Sequence, residues 1–202
     1  MKLFDLKAGM NPRRVRIFLA EKGIDIPRVE VDMKAGENRK QDFLAINPMG
    51  TMPVLELDDG THLAESISIC RYFEELYPEP PLFGTSALDR ARIDMWTRRM
   101  EYEIARPIVE AFTHTSPFWA GRRHQVPAAG DLARDMANTA MSWLDGELSR
   151  RPFIAGDNYT IADIVAQCAF VLGRNTGTPI PPGSRNLQRW YQDVTQRPSA
   201  RA

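Results

Sequence analysis

Cysteine is nearly absent: Cys70 and Cys168 are the only two in 202 residues. Both lie inside helical patterns, so they read as buried free thiols, and a disulfide framework is not supported. There is no CxxC pair, which argues against dithiol redox chemistry. Histidine is also scarce, with His62, His114 and His124 alone in the chain. None has a second ligand at metal-binding spacing, so no metal site is predicted. Net charge is missing as well: 26 basic side chains balance 26 acidic ones. A neutral chain has no broad field to draw nucleic acid or an acidic membrane surface. No apolar run approaches the length of a membrane span. The first residues, MKLFDLKAGMNPRR, lack a secretory apolar core, which predicts a cytosolic chain.

What remains suits a globular protein. Hydrophobic residues make up 43% and charged residues 26%. That is enough apolar material for one large core or two small ones.

The first part of the chain alternates strand and helix signals. Lys2 to Leu6 reads as a short strand. Asn11-Pro12 reads as an N-cap followed by proline at the first helical position, with Val15, Phe18 and Leu19 on one face and Gly23 as the stop. Arg28 to Met33 alternates again, with Val29, Val31 and Met33 on one side. Residues 35–46 are polar and weakly helical.

The stretch from Asn47 to Ser66, NPMGTMPVLELDDGTHLAES, carries the most information. Val54, Leu55 and Leu57 form a strand, and Asp58-Asp59-Gly60 is a hairpin turn. Ser66 reads as the N-cap of a helix running to Tyr77 and closed by Pro78. Pro53 opens a strand, where it forfeits a ladder donor. A trans Met52–Pro53 bond would simply start the strand. A cis bond would turn the Met52 amide and carbonyl outward, where they could grip another backbone. The order is β-α-β-α-β-β-α. A parallel first pair and a closing hairpin give a thioredoxin-like arrangement.

Pro78, Pro80, Pro81 and Gly84 form a stiff linker. Beyond it the pattern is helical only. Residues 87–105 make a helix that Pro107 should kink or break. Residues 131–148 make another. Thr160 and Asp163 then form a capping box at the head of a nearly all-apolar helix, residues 164–172, and residues 187–194 end the pattern. The predicted organisation is a thioredoxin-like α/β domain at 1–78, a linker at 79–86 and an all-α domain at 87–202.

These motifs together resemble the cytosolic glutathione transferases. The similarity rests on NPxGxxPVLxxDDGxxLxES, on the VRIFLAEKGI helix, and on GDxxTxAD around Thr160. It covers essentially the whole chain. It implies a cis Met52–Pro53 bond, main-chain pairing of Met52 with the cysteine of glutathione, and γ-glutamyl recognition by Glu65 and Ser66. Gly9, Met10, Asn11, Thr51 and Pro53 complete the implied glutathione-binding set. Thr51 departs from the many members that carry a lysine or other long side chain there.

A sharper departure is Gly9. It stands where members of the family place the serine or cysteine that touches the sulfur, and no Tyr, Ser, Thr or Cys occurs in residues 1–23. An unperturbed thiol of this type has a pKa of about 8.5, so something must favour the anion. The options are the main-chain amides of Met10 and Asn11 at a helix start, with the Asn11 carboxamide as the candidate catalytic donor, or binding without strong activation. Asn11 could equally be a plain N-cap. Tyr102, Arg106 and Phe112 are the candidate residues for a hydrophobic electrophile between the first loop and the helical domain. His114 and Trp119 fall in the same region. The activity implied is transfer of glutathione to such an electrophile. A glutathione-dependent isomerase or peroxidase, and a non-catalytic glutathione-binding interaction module, are the alternatives. The resemblance also implies a homodimer.

Overall fold

A computed structural model describes all 202 residues, Met1–Ala202. The chain divides into two units, Met1–Pro81 with Arg201–Ala202, and Leu82–Ala200.

The first unit is built on a four-stranded sheet in the order β2-β1-β3-β4. The strands are β1 (Lys2–Asp5), β2 (Arg28–Glu30), β3 (Val54–Glu56) and β4 (His62–Ala64). β1 and β2 are parallel, and the other neighbours are antiparallel. The parallel pair is joined through α1 (Met10–Lys22), while β3 and β4 share the tight turn at residues 57–61. α2 (Gln41–Ile46) precedes β3, and α3 (Ser66–Leu76) follows β4.

Strand alternation sorts the core into two layers. Phe4 and Val54, which are register partners, cluster with Val31, Phe43 and Met52. Phe4 meets Phe43 edge-on at 6.0 Å. Leu3 and Leu55, the next partners, point the other way and are fully buried, as are Val15 and Phe18 of α1 and Ile69 and Phe73 of α3. One helix therefore covers one face of the sheet and two cover the other, the thioredoxin-like arrangement.

β2 is shorter than the alternation of residues 28–33 predicts. Val31 is buried, but Val29 is 40% exposed on the outer strand, so the two do not share a covered side. The cause is local: Asp32 accepts hydrogen bonds from the Lys34 and Ala35 amides and turns the chain out of the sheet.

The second unit is helical: α4 (Ala87–Arg99), α5 (Arg106–Thr115), α6 (Pro127–Leu148), α7 (Ile161–Thr176) and α8 (Arg185–Thr195). The regular α-helix is interrupted ahead of Pro107, in line with the predicted kink or break. A π-helical turn at Met100–Ala105 lies just ahead of it, and the backbone stays helical through Arg106. The wider turn relieves the clash that proline makes with the carbonyl four residues back.

α7 is the centre of this unit, with buried residues from Ile161 through Phe170. Its start is a capping box. Asp163 is fully buried and accepts from the Thr160 amide at 2.9 Å, the Thr160 hydroxyl at 3.1 Å, the Ile154 amide at 2.9 Å and the Trp190 indole at 2.8 Å. Burial pushes the Asp163 carboxyl up from its ordinary value, and the four donors pull against that shift.

Candidate functional site

Three segments of the first unit reach the same end of the sheet. Phe4 pairs with Val54 and Val54 with Ala64 in antiparallel register. The end of β1, the start of β3 and the end of β4 must therefore lie side by side. The loop after β1, the Met52–Pro53 peptide and Glu65 all leave the sheet there.

The loop after β1 is held firmly. Arg16, buried in α1, pairs with Asp5 at 2.6 Å and donates to the Lys7 carbonyl at 2.8 Å. The Leu6 amide donates to Asp5, and the Lys7 amide donates to Glu30 at 2.9 Å. Gly9 closes the loop, its N–H donating to the Leu6 carbonyl at 2.7 Å. A β-carbon at Gly9 would sit 2.9 Å from the Pro12 ring and 3.0 Å from the Leu6 oxygen. The packing itself excludes a side chain where the family places its sulfur-contacting serine or cysteine.

α1 begins at Met10, with Gly9 as its N-cap. Asn11 is thus the second helical residue, and the expectation that it caps the helix is corrected. Its side chain is exposed and makes no hydrogen bond to the chain. Of the first helical amides, Pro12 has none and the Arg13 N–H donates to the Gly9 carbonyl at 3.1 Å. Met10 and Asn11 are left with unpaired main-chain N–H groups at the positive end of a 13-residue helix.

The Met52–Pro53 bond is cis, as the resemblance implies. Met52 and Pro53 are buried, and no other group of the chain pairs with the Met52 amide or carbonyl. The approach to them is fixed by two buried asparagines. Asn38 donates to the Gly50 carbonyl at 2.8 Å, and Asn47 donates to the Thr51 carbonyl at 2.8 Å and the Thr51 hydroxyl at 3.1 Å. Gly50 is required at its own position: φ is 63° and a β-carbon would lie 2.7 Å from the Asn38 oxygen.

Glu65 is the N-cap of α3, and Ser66 is its first helical residue. The prediction that Ser66 caps the helix is off by one. Glu65 has φ 68°, the sole positive value outside glycine, and its carboxylate is exposed. Such a conformation costs about 1–3 kcal/mol and is characteristic of ligand clamps. Ser66 is buried, and its hydroxyl accepts from the buried Arg14 guanidinium at 3.4 Å. This ties the start of α3 to α1.

In the second unit, Tyr102 is 56% exposed on the π-helical turn, and Arg106 pairs with Glu110 at 2.8 Å. That pairing, first the hydrogen bond and then the charge of Glu110, raises the Arg106 pKa. Phe112 belongs to a separate cluster with Phe118 and Trp119. His114 lies within α5 and accepts from the Val126 amide at 3.1 Å. His62 is also partnered, with Glu56 at 3.3 Å.

Sequence reasoning missed Arg16, Asn38 and Asn47. Arginine and asparagine in such places read as solvated or turn residues, and no local pattern marks them as buried. Arg14 stands at a helix N-terminus, where a cation is disfavoured, and nothing local marks it as buried.

The glutathione S-transferase N-terminal domain profile matches residues 10–76, and the C-terminal domain profile matches residues 101–198. The chain is 36% identical over 205 residues to Glutathione S-transferase 2 of Saccharomyces cerevisiae, covering 100% of this chain and 88% of that one. The crystal structure of Gtt2 from Saccharomyces cerevisiae superimposes with a TM-score of 0.94 at 36% identity, covering 100% of this chain and 99% of the other. A glutathione S-transferase domain-containing protein from Marinobacter aquaeolei VT8 gives 0.93 at 37% identity, with 98% and 99% covered. The architecture, the cis proline and the full-length similarity agree, and this chain belongs to the glutathione S-transferase family, whose co-substrate is glutathione.

Proposed function

We propose that this transferase adds glutathione, as its thiolate, to a hydrophobic electrophile, and that the open start of α1 replaces the missing hydroxyl or thiol donor. The observation that carries this is the pair of unpaired amides on Met10 and Asn11, beside a glycine that cannot bear a side chain. Two N–H groups at a helix N-terminus favour an anion through direct donation and through the helix dipole. They are fixed before the sulfur arrives, so little reorganisation is needed. The exposed Asn11 carboxamide can add a third donor, the catalytic role assigned to it here.

The remaining residues would hold glutathione in place. The free Met52 amide and carbonyl suit main-chain pairing with its central residue, with Pro53 fixing the bend and Thr51 lining the approach. Ser66 and Glu65, at the start of α3, suit its γ-glutamyl end, and the buried Arg14 adds positive charge there. Gly9 is the N-cap from which the helix and those two amides begin. Tyr102, Arg106 and Phe112 are the proposed contacts for the electrophile. The thiolate attacks carbon with its own electron pair, and the leaving group departs with the electrons of the broken bond.

Large exposed apolar side chains also support a homodimer. Leu88 and Met95 on α4, and Leu132, Met136 and Trp143 on α6, are 38–69% exposed. Trp96 stacks on Trp143 at 5.5 Å, so the two helices present these residues on adjoining surfaces.

Retention on immobilised glutathione together with turnover of an activated aryl chloride is the expected result. Retention without turnover would instead favour the binding-module alternative.

A further inference from the structure

The aromatic cluster of the second unit is charged in a way the family resemblance does not account for. Phe112 stacks on Phe118 at 6.1 Å, and Trp119 meets both edge-on at 6.0 and 5.0 Å. None of the three rings is fully buried. Arg122 lies 4.7 Å over Phe118, and Arg123 lies 5.0 Å over Trp119. Both arginines are exposed, and neither pairs with a carboxylate.

Local charge is one-sided. Residues 111–130 contain two arginines, two histidines and no acid, in a chain whose total is zero. The acids that bracket the stretch are already engaged, Glu110 by Arg106 and Asp131 by Arg134, each at 2.8 Å.

The segment is also held in shape. Gln125 donates to the Thr113 and Ser116 carbonyls at 2.8 and 2.9 Å, and the Val126 amide donates to His114. An arginine stacked on a ring spends its face on the ring and keeps its in-plane N–H groups free for a carboxylate or sulfonate. One further donor waits nearby: the Trp119 indole N–H is buried without an acceptor. An unpaired buried donor is costly, so an incoming oxygen gains there, after a small shift of the covering side chains.

We infer that Phe112, Phe118, Trp119, Arg122 and Arg123 select electrophiles with an aromatic body and an anionic substituent. The rings hold the body and the two guanidiniums hold the anion. This inference rests on the conjugation reading above for its electrophile, but the binding preference is measurable without conjugation.

Two matched pairs test it. Calorimetry compares unreactive dinitrobenzoate with uncharged dinitrobenzamide on the protein without glutathione. Steady-state kinetics compares KM for a chlorodinitrobenzoate, chlorine para to the carboxylate, with KM for its carboxamide; in both, the thiolate forms the C–S bond and chloride leaves. The anion should bind about tenfold tighter than the amide, the size of one charge-assisted hydrogen bond at a partly exposed site. Added salt should shrink that advantage. The double variant Arg122→Gln, Arg123→Gln, checked for an unchanged melting temperature, should bring the ratio close to one. Trp119→Phe keeps a ring but removes the N–H, and should lower the ratio less. Equal binding of anion and amide, or a preference that survives in the double variant, overturns the inference. If neither chloride turns over yet the calorimetric preference stands, the conjugation reading fails and the plate is supported. If turnover occurs with no anion advantage in either assay, the plate fails and conjugation stands.

Discussion

Two helix starts in this chain are finished in opposite ways. α7 begins at Thr160 with most of its nearby donors engaged. The Ile161 amide donates to the Leu82 carbonyl, the Thr160 amide to Asp163, and Asp163 also gathers the Ile154 amide and the Trp190 indole. α1 begins at Gly9 with no side-chain cap, no acidic residue in its first turn, and two amides left over. A closed start adds stability. An open one forgoes it and leaves a preorganised place for negative charge. The chain has the residues to close α1, since any Ser, Thr or Asp at position 9 is a good cap, yet packing against Pro12 and Leu6 excludes them.

Breaking the closed start should have the largest effect. Asp163→Ala leaves several buried donors without an acceptor and should cost roughly 3–5 kcal/mol in denaturant unfolding. A loss below about 1 kcal/mol would show that the box is not the anchor described here. Next is Gly9→Ser. It supplies the hydroxyl used elsewhere in the family, but the added atoms collide with Pro12, so stability should fall by about 1–3 kcal/mol and conjugation should drop with it. A rise in kcat would contradict the packing argument. Ser66→Ala should weaken glutathione binding about tenfold, measured by calorimetry, and leave the thiol pKa of the bound molecule alone. A changed pKa with intact affinity would place Ser66 at the sulfur instead. The smallest effect belongs to Asn11→Ala, which should raise the bound thiol pKa by about half a unit. No change would assign the whole effect to the main chain.

The same contrast explains what could be read before any coordinates. The α7 box was legible because both partners lie within four residues and their side chains do the bonding. The hairpin, the cis proline motif and Gly23, which stops α1 in the left-handed conformation, were equally local. The start of α1 was half legible. Gly9 and the absence of a hydroxyl were evident, but the helix boundary fell two residues earlier than Asn11-Pro12 suggested, and backbone donors leave no trace in residue type. Arg16 on Asp5 and Lys7, and Arg14 on Ser66, join residues 9 to 52 positions apart. Only the folded sheet brings such partners together. Pro107 marked the interruption but not its form, since a π-turn that absorbs a proline has no sequence marker of its own.

The measurement closest to the centre of this account is a pH titration of thiolate absorbance for glutathione bound to the unaltered protein. The open start of α1 predicts a thiol pKa about one to two units below the free value of about 8.5. A bound thiol that titrates at or above the free value would show that the Met10 and Asn11 amides do not hold the sulfur.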